Sequence, residues 1–529
     1  MLWFCSTLLF IPMVMCGQPT VEELSHLIGY DIELKTIWDT AERQKAEVFW
    51  ARPTSVEQIQ KLVLAAKKFE LHVRAVGSKH SWSPIYADNG NIALDLSQLE
   101  GKKFTIDKDR MLVSSLASAT IEELLKFKTQ HGVTIPSVSN VDIPTLQGVT
   151  ATSAHGSISK EGPTSTFVYG LDLVDSSGRV RHFNDDDDKD VISACKVHVG
   201  MCGIIYNTTV KVVQDRVFKF TKADIKVSDL LLNQENRKDF VMNNYGVLLL
   251  WKTFSGATEA EIAAKEEDEF KRPPNTWRAA NDYTGVWTMN PVEDASITPD
   301  KVEFRETIKL KDGTSIQVTS DYRWASESIL FPAWVAEVPI TLRWNVAWAT
   351  PESEDFSAGQ KTLENYFNVI EANIKRLGVY KDAFGIIRWL SHKEDCTLCH
   401  TKMANEFKLM MEIEWTPACR PCNTHFMDES VRDKLWSTQF ATGMMSNNSR
   451  ILPHWGKYYD YIPGMVSLLK ENYGSSFDDF IKIRNKAFLD PDNTFMNSHL
   501  KDLFHDAIVR NTENTCATQN TAKHEHDEI

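Results

Sequence analysis

Between Ala51 and Val76 the apolar positions change period. Val56, Ile59, Leu62, Val63 and Ala66 recur at helical spacing behind Thr54-Ser55-Val56-Glu57, which reads as a capping box, and predict an amphipathic helix. Leu71 to Val76 loses that period and predicts a buried strand, as do Ile92 to Leu96 and Met111 to Leu116. A second capped helix is predicted from Thr120, with Glu123 three residues on and Ile121, Leu124 and Leu125 turned inward. Phe167 to Asp175 and Arg179 to Phe183 flank Ser176-Ser177-Gly178, a hairpin signal, and Asp185 to Asp188 reads as a solvated turn. Beyond about Phe220 the strand-like runs Val247 to Trp251, Trp334 to Trp344, Phe384 to Leu390 and Phe407 to Trp415 alternate with longer helical segments. The charged run Glu259 to Arg272 predicts a surface helix among them. The pattern predicts an α+β chain with one domain over residues 45–220 and a sheet-based second domain over 221–445. A C-terminal segment, 446–510, and a polar tail, 511–529, expected to lack structure, complete it.

Composition narrows the classes. The chain has 529 residues, 42% hydrophobic and 25% charged, enough apolar material for two ordinary domains. Its formal charge of -14 argues against nucleic acid, whose phosphates need basic patches. No internal run reaches the roughly 18 apolar residues of a membrane span, and Phe331 to Ala349 is interrupted by Glu337 and Arg343. Leu2 to Cys16 is almost wholly apolar and is followed by Gly17, which predicts a signal peptide over residues 1–17 and a secretory route, although a positive n-region is missing. Sequons at Asn207 and Asn447 permit glycosylation. The last four residues, His526 to Ile529, resemble the H-D-E-L ending read by an ER-retrieval receptor, with Ile for Leu; the expectation is ER retention, or secretion otherwise.

Two loops of small residues carry the chemistry. Gly77-Ser78-Lys79-His80-Ser81-Trp82-Ser83 follows a predicted strand, and Leu146 to Gly156 reads L-Q-G-V-T-A-T-S-A-H-G. Small residues let backbone N–H groups crowd onto a pyrophosphate, but a tight turn packed on a sheet explains either loop taken alone. Gly200-Met201-Cys202-Gly203-Ile204-Ile205 and, far downstream, Pro453-His454-Trp455-Gly456-Lys457 add two more motifs in order. Together these resemble the aldonolactone oxidase family, with its L-gulono-1,4-lactone, D-arabinono-1,4-lactone and alditol oxidases, on the vanillyl-alcohol-oxidase (PCMH-type) FAD-binding fold. The likeness covers roughly Phe49 to Phe504, diffuse between about Thr221 and Val379.

The resemblance implies FAD, covalently bound through His80, with Gly77, Ser78, Lys79 and Ser81 in the same loop. It implies Gly148, Thr152, Ser153 and Gly156 around the pyrophosphate, and Gly203 and Ile205 towards the adenine. It implies oxidation of a CH–OH group, with Lys457 as the cation that stabilises the reduced flavin and His454 handling the proton. Relatives place Glu-x-Arg on a cap-domain strand; here Arg388 is retained but the glutamate position is Ile386. Glu412 and Glu414, two apart and so on one sheet face, offer a replacement from a neighbouring strand, with Glu414 the choice to pair with Arg388.

Nine cysteines include the C-x2-C pairs Cys396/Cys399 and Cys419/Cys422, and Cys396 to His400 matches a haem-attachment signature. The strand between the pairs would hold them roughly 30 Å apart, too far for one zinc ion, so local disulfides are expected and no metal. The leading reading is an aldonolactone oxidase using O2 and producing H2O2 from a sugar lactone. An alditol or other carbohydrate oxidase, or a dehydrogenase, stays open beside it. So does a catalytically degenerate flavin protein, or a metal- or haem-binding lumenal protein.

Overall fold

The structure is a computed structural model. It describes residues 18–38, 45–256, 276–328, 341–342, 345–377, 384–391, 396–403, 409–416, 418–419, 437–448, 450–460 and 462–527. The expected signal peptide, the helix over Glu259 to Arg272 and most of the strand over Trp334 to Trp344 lie outside the described residues.

The N-terminal part holds two small sheets. Ile32–Trp38, Lys45–Ala51, Ile92–Asp95 and Val73–Val76 form the first, in that spatial order, with the last three parallel. The helix Val56–Lys68 connects Lys45–Ala51 to Val73–Val76 and buries Ile59, Leu62, Val63 and Ala66, four of the five expected positions. Its cap sits one residue later than expected: the Ser55 hydroxyl accepts from the N–H of Gln58, while Gln58 Oε1 accepts from the N–H of Thr54. Gln58 fills the role expected of Glu57 because it is three residues from the true cap. The second helix, Ile121–His131, has the full Thr120–Glu123 capping box. The other sheet is antiparallel, in the order Phe104–Asp107, Leu112–Leu116, Ile204–Lys211, Val168–Val174, Val180–Asn184. Its last two strands are the expected hairpin, turned at Gly178 with φ +75°.

The second part is one antiparallel sheet of nine strands. Their order is Phe304–Lys309, Ser315–Trp324, Val217–Lys226, Tyr283–Pro291, Gly246–Lys252, Phe384–Ser391, Leu409–Thr416, Val346–Pro351, Leu452–Pro453. The predicted boundary at 220/221 falls inside the third of these strands, and the C-terminal segment contributes the ninth. After it, the chain returns to the first sheet: Val73 N–H donates to the Thr494 carbonyl and Arg74 Nη1 to the Phe495 carbonyl. The last helix, Ser498–Asp527, runs on through the polar tail expected to lack structure. That stretch contains neither glycine nor proline, so nothing local ends the helix once it has begun.

Disulfides join Cys195 to Cys202 and Cys396 to Cys399. The second is the expected local pair, and it removes both sulfurs from zinc or thioether chemistry. Asn207 lies in a strand paired on both sides, and its Nδ2 donates to Asp172. Asn447 is exposed.

Candidate active site

The loop Gly77 to Ser83 and the P-H-W-G-K segment, more than 370 residues apart, dock on each other. Trp82 N–H donates to the Gly456 carbonyl, and the Ser83 hydroxyl donates to the Trp455 carbonyl. Strand pairing anchors the segment, since His454 N–H donates to the Ala347 carbonyl and Tyr458 N–H to that of Asn345. This contact closes one end of a cavity of about 660 Å3 that runs between the N-terminal sheets and the nine-stranded sheet.

Gly77, Ser78, Lys79, His80, Ser81, Gly148 and Thr152 line that cavity, as do His454, Lys457, Arg388 and Glu414. Four residues predicted to touch the cofactor stand outside its lining. The Ser153 hydroxyl is instead 2.9 Å from His400 Nδ1. Gly156 is a packing glycine, because a Cβ there would fall 2.4 Å from the Val138 carbonyl oxygen. Gly203 takes φ +123° at a strand entry where a Cβ would meet Val174, and Ile205 is buried in the core.

The register of two strands sets the charged centre. Phe384–Ser391 pairs antiparallel with Leu409–Thr416 so that Ile386 faces Glu414 and Arg388 faces Glu412. Directly opposed residues share a sheet face, so all four side chains project the same way. Arg388 Nη2 donates to Glu412 Oε1 at 2.8 Å and to Glu414 Oε2 at 3.0 Å, and Nη1 to Asn140 at 3.1 Å. Lys457 Nζ lies 3.2 Å from Glu414 Oε1, which also accepts from Asn345 Nδ2 at 2.5 Å. Glu414 therefore bridges two cations. Burial alone would raise both carboxyls, but Lys457 and Arg388 hold Glu414 below its ordinary range, and His155 and Arg388 hold Glu412 well below.

Histidines surround this pair. Burial, reinforced by Lys457, pushes His80 down to about 4. Burial and the neighbouring His400 hold His454 neutral, well below the usual histidine range. His454 Nδ1 accepts from the Gly456 N–H at 3.0 Å, so its proton resides on Nε2. His454 thus offers a donor from Nε2.

Sequence reasoning missed His155, His400, Asn140 and Asn345. His155 belongs to the second small-residue loop, and His400 was obscured by the haem-like signature around it. Three segments distant in sequence bring these groups together, so no local spacing revealed them.

A dinucleotide fits this cavity on the structure's own terms. The first loop turns through a left-handed Lys79, φ +54°, and Gly77 abuts Thr145 so closely that a Cβ would lie 2.8 Å from its hydroxyl. Arg388 lines the cavity with a buried Nε that has no hydrogen-bond partner among the described residues. The wall thus combines close backbone approach with a cationic group left to meet a ligand.

Comparison with known proteins defines the class first. Residues 49–184 match the FAD binding domain family. A cholesterol oxidase structure, "Solvent-stable cholesterol oxidase", covers 89% of this chain and 98% of its own at a TM-score of 0.65 and 15% identity. A second structure, "Physcomitrella patens BBE-like 1 wild-type", gives 0.62 at 14% identity over 90% of this chain and 98% of that one. The fold is that of the PCMH-type FAD-binding oxidases.

Within that class the chain is similar to aldonolactone oxidases. Residues 424–503 match the D-arabinono-1,4-lactone oxidase family. L-gulonolactone oxidase of Mus musculus is 26% identical over 162 residues, 31% of this chain and 36% of that protein. D-arabinono-1,4-lactone oxidase of Candida glabrata is 22% identical over 508 residues, 85% of this chain and 92% of that protein. The chain spans 36% to 49% of the length of three L-gulonolactone oxidases it matches.

Proposed function

We propose that this protein is an FAD-dependent oxidoreductase that oxidises a secondary CH–OH group of a sugar-derived lactone, with O2 as acceptor and H2O2 as product. The names of its relatives support the substrate class. The observation that carries the reading is the chain Arg388–Glu414–Lys457 in one cavity with the His80 loop.

When bound, FAD supplies the hydride acceptor and, through O2, the route to H2O2. The protein supplies charge and orientation. Lys457 and Arg388 place fixed positive charge where negative charge accumulates, an effect worth about 3–4 kcal/mol by analogy with one preorganised oxyanion donor. Glu414, held ionised, would accept the hydrogen bond and then the proton of the substrate hydroxyl. His454 donates from Nε2 to an oxygen in the cavity. His80 is the residue for covalent attachment: it lines the cavity, and burial keeps its ring neutral and nucleophilic. Acid-precipitated protein should stay yellow and His80→Ala should release FAD; free FAD from the unaltered protein would remove the linkage.

One observation favours a second reading. Leu250, Phe384 and Ile386 form an apolar stretch of the cavity wall, with Ile386 where the family resemblance calls for glutamate. A less hydroxylated alcohol would suit that wall better than a lactone. Anaerobic stopped-flow reduction with L-gulono-1,4-lactone, D-arabinono-1,4-lactone, alditols and apolar secondary alcohols separates the readings. Failure of every alcohol to reduce the flavin would overturn both. Localisation belongs to the same proposal: the two disulfides suit an oxidising lumen, and the H-D-E-I ending suits retrieval to the ER.

A further inference from the structure

Two imidazoles and a carboxylate from two distant stretches of the chain converge beside the cavity. His155 belongs to the second small-residue loop, His400 follows the Cys396–Cys399 disulfide, and Glu412 sits in the strand Leu409–Thr416. All three are buried. Nε2 of His155 and Nε2 of His400 both face Oε2 of Glu412, the latter at 3.0 Å. The three atoms lie within 4.8 Å of one another.

Every other polar atom of the trio is committed elsewhere. His155 Nδ1 is 2.9 Å from the Gly156 carbonyl, which can only accept, so Nδ1 carries the hydrogen. His155 Nε2 is thus left facing the Glu412 carboxylate, and a cation between the two, a proton or a metal ion, holds them together. His400 Nδ1 is held by the Ser153 hydroxyl at 2.9 Å, and Glu412 Oε1 by Arg388 at 2.8 Å. Metal-binding histidines show this pattern: the second ring nitrogen is tied to a carbonyl or similar group, which fixes tautomer and orientation.

We propose that His155 Nε2, His400 Nε2 and Glu412 Oε2 hold a divalent first-row transition ion, with Zn2+ the best match. Two histidines and one carboxylate are a zinc ligand set that leaves a coordination position open. Bonds of about 2.0–2.1 Å put tetrahedral ligand atoms about 3.3 Å apart, a small opening of the present cluster. Arg388 grips the other carboxylate oxygen and does not occupy this point. His454 is excluded as a ligand because its Nδ1 already accepts from Gly456 and its other nitrogen carries hydrogen. The ion would sit beside the oxidation site, since His155 lines the cavity, yet the assignment does not depend on the substrate.

Untagged protein with its flavin, purified without chelators, should contain close to one equivalent of metal by mass spectrometry. After chelator dialysis it should bind Zn2+ at a single site in calorimetry while keeping its flavin. His155→Ala and His400→Ala should each weaken Zn2+ more than about 100-fold, and Ser153→Ala about 10- to 100-fold. His182→Ala, at an exposed histidine paired with Asp172, should leave Zn2+ binding unchanged. Unaltered protein that neither carries metal nor binds added Zn2+ would overturn the proposal and leave a proton joining His155 to Glu412. Zn2+ binding that survives both histidine substitutions would overturn it too, by placing the ion elsewhere.

Discussion

Glu414→Gln keeps the shape of the side chain and one acceptor oxygen while removing the charge that two cations share. In the folded protein Glu414 accepts from Arg388 at 3.0 Å and from Lys457 at 3.2 Å. Deleting one partner of a buried ion pair costs about 3–5 kcal/mol when the other is stranded. Here Arg388 keeps Glu412 at 2.8 Å, so stability should fall by about 3 kcal/mol or less. Turnover should fall as well, by about 10²-fold, the scale of a lost orienting group, or roughly 2.7 kcal/mol of barrier. Three readouts separate the effects: anaerobic flavin reduction, flavin retained after gel filtration, and urea unfolding. The facing position supplies a control. Ile386→Glu combined with Glu414→Thr moves the carboxylate to the directly opposed residue on the next strand and should recover part of the lost rate. Unchanged turnover in Glu414→Gln would refute the reasoning. A loss matched by released flavin would make the role structural.

Lys457→Met should slow flavin reduction about 10²- to 10³-fold with FAD retained, because one preorganised charge is deleted; an unaltered rate would return Lys457 to a packing role. Stability should fall between pH 7 and 5. Burial holds His499 at about 4 and His198 at about 3, so over this window the unfolded chain, protonating near 6.5, binds more protons. Stability is therefore complete above 6.5 and lost as pH drops towards the folded values, roughly 2 kcal/mol per histidine by pH 5. Equal urea midpoints at both pH values would contradict this. Deleting His526 to Ile529 should shift the protein from cells to medium, and equal secretion of both forms would show that the ending is not read.

Periodicity reached most of the first domain. The helices Val56–Lys68 and Ile121–His131 each bury one apolar face against a sheet, and that is what a 3.6-residue pattern reports. The hairpin at Gly178 was legible for a different reason, because a left-handed turn position favours glycine. The Ser498–Asp527 helix was not legible beyond Asn511: composition measures how much apolar surface a segment can bury, not whether a helix already nucleated on a packed face continues. The cofactor loops were legible as motifs but only partly as contacts. Gly156 and Gly203 suit close packing as well as they would suit a phosphate, and a glycine's sequence context does not say which neighbour needs the room.

The charged centre shows where one-dimensional reading stops. Arg388 and Lys457 sit in linear motifs that name them, whereas Glu412 and Glu414 are legible only as two residues on one face of a strand. Their burial follows from a register that no local pattern encodes, since sliding one strand by a single residue would turn both carboxylates to the other face. Once the register is known, the missing glutamate at Ile386 has a physical account. A sheet face presents neighbouring positions from adjacent strands at nearly the same point in space, and Ile386 and Glu414 are such a pair. The cavity needs an acceptor between Arg388 and Lys457, and either strand can supply it. Supplying it from the Glu414 side leaves Ile386 free to join Leu248 and Leu250 in an apolar cluster, so the same exchange that keeps the ion pairs alters the wall the substrate meets.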